Sequence, residues 1–143
     1  MILSNFELRE PNHTIELVGL GHNWDLHNFA EFEGLEVNAG QNHATLRWRV
    51  PDVENPWGSL NNAFRGCALV FSGLRALSMT PHDPDHATED RDLADVSKVT
   101  PEPGEYRTRE RWSPGEPFNL RFEFQSGRAI EVAAERAELV GIE

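Results

Sequence analysis

A chain of 143 residues with 38% hydrophobic side chains can bury one core and is too apolar to be disordered throughout. Its formal net charge of -11 repels phosphate backbones and anionic lipid, which excludes nucleic-acid or membrane-surface binding through a basic footprint. The charge leaves two roles open: plain solubility, or capture of a cationic partner.

No stretch approaches the roughly 20 apolar residues of a membrane helix. The longest apolar run, Cys67-Ala68-Leu69-Val70-Phe71, has strand length. The start, Met1-Ile2-Leu3-Ser4-Asn5-Phe6, lacks the basic-then-apolar pattern of a secretory signal. Cys67 is the single cysteine, so no disulfide framework forms within the chain, and its apolar setting predicts a core side chain. Together these features predict a cytoplasmic protein with a single β-rich domain over 1–143.

In chain order, Thr14 to Leu20 is the first candidate strand. Gly21-His22-Asn23-Trp24-Asp25-Leu26-His27-Asn28-Phe29 then concentrates two histidines, an aspartate and a tryptophan. On a strand, Asp25 and His27 point to the same side, because side chains repeat every two residues. His22, Asp25 and His27 are therefore candidate metal ligands or an acid–base group. The competing reading is a Gly/Asn-rich turn in which Asp25 caps backbone amides and His27 bonds at a sheet edge.

The pattern predicts a strand over Phe29 to Val37, with Asn38-Ala39-Gly40-Gln41-Asn42 as a hairpin loop. In Ala44-Thr45-Leu46-Arg47-Trp48-Arg49-Val50, one face is Ala44, Leu46, Trp48 and Val50 and the other is polar. Pro51 ends that strand, since it has no amide to donate. Asp52 to Arg65 reads as a long connection carrying Trp57, an interface anchor or a lid on the open end of the fold. Cys67 to Met79 reads as two short strands or one bent strand, with Ser72-Gly73 as the bend.

Thr80 to Trp112 reads as irregular, rich in proline and acid. His82-Asp83-Pro84-Asp85-His86 offers four potential ligands, yet Pro84 and Asp85 favour a turn and a solvated acidic loop. A short helix is expected from about Glu89 to Val99, with Thr88 as N-cap and Leu93, Val96 and Val99 along one face. Asp83, Asp85, Glu89, Asp90, Asp92, Asp95, Glu102 and Glu105 could present a negative surface to a basic protein, with Trp112 as a second anchor.

Leu120, Phe122 and Phe124 alternate with Arg121, Glu123 and Gln125; Ser126-Gly127 turns the chain; Ile130, Val132 and Ala134 alternate in return. The alternation slips after Ala134, which predicts a bulge or break around Arg136. The whole pattern predicts a mainly β fold, an antiparallel sandwich or half-open barrel with at most one short helix. Walker A, Gly-x-Ser-x-Gly, Rossmann and His-Glu-x-x-His signatures are absent, and no cofactor is implied.

The segment Trp24-Asp25-Leu26-His27-Asn28-Phe29 resembles the aromatic–acid–x–His stretch near the start of small bacterial β-rich proteins, some grouped with Imm50-like immunity proteins of polymorphic toxin systems. Leu69-Val70-Phe71-Ser72-Gly73-Leu74 looks like their apolar strand, and Ile130-Glu131-Val132-Ala133-Ala134 with Ala137 is similar to their closing strand. Thr80 to Trp112 has no counterpart in that pattern. The resemblance implies an all-β domain that neutralises a toxin by direct binding, and it carries no catalytic residues. The expected function is therefore a non-enzymatic protein-binding domain, with a cationic toxin as the partner. The alternatives are an enzyme built on His22, Asp25 and His27, and a small-ligand carrier using an open barrel mouth.

Overall fold

A computed structural model describes residues 1–10, 13–51, 64–81, 83–101 and 117–143. Its strands are β1 (Ile2–Ser4), β2 (Phe6–Leu8), β3 (Glu16–Gly19), β4 (His22–Asp25), β5 (Glu31–Asn38) and β6 (His43–Arg49), followed by β7 (Gly66–Met79), β8 (Leu93–Val99), β9 (Asn119–Phe124) and β10 (Ala129–Ile142). Short 3-10 segments occupy Ala39–Gln41 and Pro84–Arg91. The alternating segments form the strands expected of them. Ala44, Leu46 and Trp48 face inward on β6, and Leu120, Phe122 and Phe124 do so on β9. Gly127, at φ 86°, makes the tight turn from β9 to β10, and its amide donates to the Phe124 carbonyl at 2.9 Å.

These strands build one large sheet in the order β5-β6-β7-β10-β9-β8, with β1 lying parallel beside β10 and every other pairing antiparallel. The sheet curls through 182° into a half-barrel, so the mainly β, half-open barrel expected from the sequence is the observed architecture. A second, three-stranded sheet, β2-β3-β4, contributes Phe6, Leu8, Leu17 and Trp24, and the turn after it Leu26, to the same core as Trp48, Phe71 and Phe122 of the half-barrel. Thr14, just before β3, bonds both ways with Val96 of β8, at 3.0 and 2.7 Å, and ties the small sheet to the barrel edge. Trp24, Trp48, Phe71 and Phe122 are the largest fully buried side chains. Burying each contributes roughly 2–3 kcal/mol or more, before the cost of ordering it.

Cys67 to Met79 is one bent strand within β7. Gly73 adopts φ 63°, and the register with β10 shifts where Arg75 is the extra residue, between Ala133 and Ala134. The bulge expected around Arg136 is thus found slightly earlier, with its extra residue on β7; β10 stays continuous, and its alternation breaks at Glu135 and Arg136, both exposed, before Ala137 turns inward again.

The helix expected over Glu89–Val99 is not formed. Pro84–Arg91 is a 3-10 segment capped by Asp83, not Thr88, and Leu93–Val99 is a strand. The spacing of three between Leu93 and Val96 comes from a bulge: β8 pairs Leu93 with Phe124 and Asp95 with Glu123, leaving Ala94 as the extra residue. One inserted residue resets a two-residue alternation, so both apolar side chains reach the core, as they would on one helix face.

Candidate functional site

β3 and β4 pair Gly19 with His22, so Leu20 and Gly21 form a two-residue turn, both at positive φ. β4 ends at Asp25, and the two-residue alternation ends with it. The buried Asp25 carboxylate accepts from the backbone amides of His27 (3.0 Å) and Asn28 (2.7 Å) and from the Asn28 side-chain amide (2.8 Å). It therefore closes a turn. His27 instead reaches another strand, with Nδ1 2.7 Å from the Leu93 carbonyl at the start of β8. A carbonyl only accepts, so Nδ1 carries the proton in that bond. His22 packs edge-on against both Trp24 and Phe64, with ring centroids 5.6 Å away in each case. Trp24 donates its indole N–H to the Gly19 carbonyl at 2.8 Å.

The three candidate ligands thus occupy separate environments: a ring stack, a turn cap and a strand-to-strand link. Among the described residues no three His, Cys, Asp or Glu side chains gather as a metal site. The expectation that Asp25 and His27 share one face fails because the strand stops at Asp25. The arrangement joins the small sheet to β8 through His27 and fixes the path from β4 into β5.

The acidic stretch divides into two classes. Asp83, Asp85 and Glu89 are exposed on the 3-10 segment and its cap, where the Asp83 carboxylate accepts from the Asp85 amide at 3.0 Å. Pro84 follows Asp83, as a turn start requires, and Asp85 sits in the first turn, where the segment's free amides favour negative charge. The segment lies beside β5 and β9. Asp90 and Asp92 are half-buried: Asp90 lies 3.6 Å from Arg128, and the Asp92 carbonyl accepts from the Gln125 amide at 2.8 Å. Asp95 is only 9% exposed and lies 3.4 Å from His13. Asp95 is thus not part of an open acidic face, and Asp90 serves the chain's own packing. The bulge at Ala94 and the strand pairing of β8 draw Asp95 into the structure.

Periodicity alone did not reveal a polar network on the outer face of β8, β9 and β10. Arg121 donates to Glu123 at 2.9 Å and approaches Glu131 at 3.7 Å, while Asn119 donates to Glu131 at 3.0 Å. Asp95, Ser97 and Asn119 are buried along this face. The alternating polar residues of β9 and β10 read as an ordinary wet face. Lys98, at the end of β8, places its ammonium 4.4 Å from the Phe118 ring centre. Burial pushes the Lys98 amine down, and the Glu7 carboxylate partly offsets this.

Trp57 and Trp112 lie outside the described residues, as does His82. Trp24 and Trp48 are core residues. No helix among the described residues is long and apolar enough to cross a membrane. No protein-family model, curated protein or solved structure matches this chain.

Proposed function

We propose that this protein is a non-enzymatic binding domain that offers an acidic surface to a basic protein partner in the cytoplasm, with a cationic toxin as the partner its sequence resemblance implies. The observation carrying this reading is the placement of Asp83, Asp85 and Glu89, all exposed on one short segment of a chain with net charge -11. Desolvating no buried ion pair, such a surface acts mainly on the rate and selectivity of encounter. Asp90 and Asp95 contribute to the field and not to the contact. The geometry of His22, Asp25 and His27 favours a structural role for each over chemistry.

The test is affinity purification with the whole chain, identification of what it retains, and reconstitution from purified components. The comparison is the Asp83→Asn/Asp85→Asn/Glu89→Gln variant; asparagine remains a good capping residue, so the turn is kept. Retention of one basic protein, with association slowed roughly three- to tenfold in the variant at low salt, supports the reading. Equal association by both proteins, or retained partners that are not basic, removes it.

A further inference from the structure

The half-barrel treats its two edges differently. At one edge, β8 is bonded by Thr14 through both backbone groups of Val96. At the other, β5 bonds to β6 on one side, and among the described residues its backbone makes no hydrogen bond on the other. An unpaired strand edge is a template for another strand unless it is blocked.

The side chains of β5 define what would fit there. Glu31 is paired with Arg49 at 3.2 Å. Glu33 and Glu36 are exposed and make no ion pair among the described residues. Val37 is 48% exposed although it stands opposite the buried Ala44, on the face that Leu35 and Phe32 direct toward the core. Glu36, opposite Thr45, lies on the other face. The 3-10 segment, which lies beside β5, and its cap add Asp83, Asp85 and Glu89 to the neighbourhood. A second copy of β5 would bring carboxylates against carboxylates, which disfavours self-pairing. A strand alternating cationic and apolar residues would instead set a charge beside Glu36 and an apolar residue over Val37, with Glu33, the extra residue of the bulge between Phe32 and Gly34, adding to the negative field.

We propose that the free edge of β5 receives an extended, lysine- or arginine-bearing segment of the basic partner as an added antiparallel strand. This inference rests on the function proposed above and gives it a docking mode: backbone bonds supply affinity, and the glutamates select sign and register.

The probe is a synthetic heptapeptide alternating lysine and valine, compared with a twin N-methylated at every second amide and with a glutamate–valine counterpart. Binding is followed by fluorescence anisotropy, and amide hydrogen exchange is followed by NMR across Gly34–Asn38. The expected result is binding of the lysine peptide with about tenfold slower exchange at β5. N-methylation, and separately Glu33→Lys/Glu36→Lys, should each weaken binding about tenfold. The N-methylated twin needs no change to the protein, so misfolding of a variant cannot imitate the effect. Equal binding of the twin without protection of β5 overturns strand addition and leaves a charge-led encounter intact. No binding of the lysine peptide at low salt also overturns it and identifies the glutamates as guards of the edge. Failure of the proposed function itself is read separately, from partner retention by the variant of the 3-10 segment.

Discussion

Replacing Asp25 with alanine removes three hydrogen bonds at once, to the His27 amide, the Asn28 amide and the Asn28 side chain. A hydrogen bond to a charged group contributes about 1.5–3 kcal/mol, but the three share one short turn and are not additive. Asn28 is exposed, so water can satisfy part of what the carboxylate leaves. Loss of a comparable capping residue costs about 0.5–2 kcal/mol. Together these bracket the cost of Asp25→Ala at about 2–4 kcal/mol, a large share of the roughly 5–15 kcal/mol that holds a domain folded. Asp25→Asn keeps one carbonyl oxygen for the backbone amides and should cost about half as much. Urea unfolding followed by tryptophan fluorescence measures both, since Trp24 and Trp48 are buried. A chelator should leave the wild-type midpoint unchanged. If Asp25→Ala costs under about 0.5 kcal/mol, or if chelation lowers the wild-type midpoint, the turn-cap assignment is wrong and the metal-ligand reading returns.

Two further outcomes concern the core and the β3–β4 turn. Burial pushes the Cys67 thiol far above its ordinary range. The folded chain therefore keeps a proton that the unfolded chain loses above the ordinary thiol pKa, and stability falls as pH rises there, by about 1.4 kcal/mol per unit. Cys67→Ala should remove that part of the alkaline slope in denaturation curves, and native Cys67 should react with thiol reagents only as fast as the protein opens. Leu20 holds φ 54° in a turn type that favours Asn-Gly, and it is 38% exposed. Leu20→Asn should therefore stabilise by about 0.5–1 kcal/mol, seen as a higher urea midpoint; a lower midpoint would show that the leucine side chain makes a stabilising contact.

The parts of this fold that were legible in the sequence share one property: an undisturbed two-residue alternation between a core and water. β6, β9 and the first half of β10 have it. β8 conceals it behind the bulge at Ala94, so Leu93 and Val96 imitate a helix face. The strands β1, β2 and β4 are three or four residues long, too short for any period to register. The parallel pairing of β1 with β10 joins segments at opposite ends of the chain, and no local pattern encodes it. Asp25 and His27 diverged from the expected shared face because a capped turn replaced the strand between them. The acids around Asp95 suggest a wet loop, whereas strand pairing with β9 carries it inward.

The most direct test of an acidic docking face is the salt dependence of association between the full chain and the basic protein it retains, measured by stopped-flow fluorescence. The predicted result is a rate that falls steeply as salt increases, with a visibly shallower slope for Asp83→Asn/Asp85→Asn/Glu89→Gln. Coincident slopes for the two proteins would contradict it and place the contact elsewhere on the half-barrel.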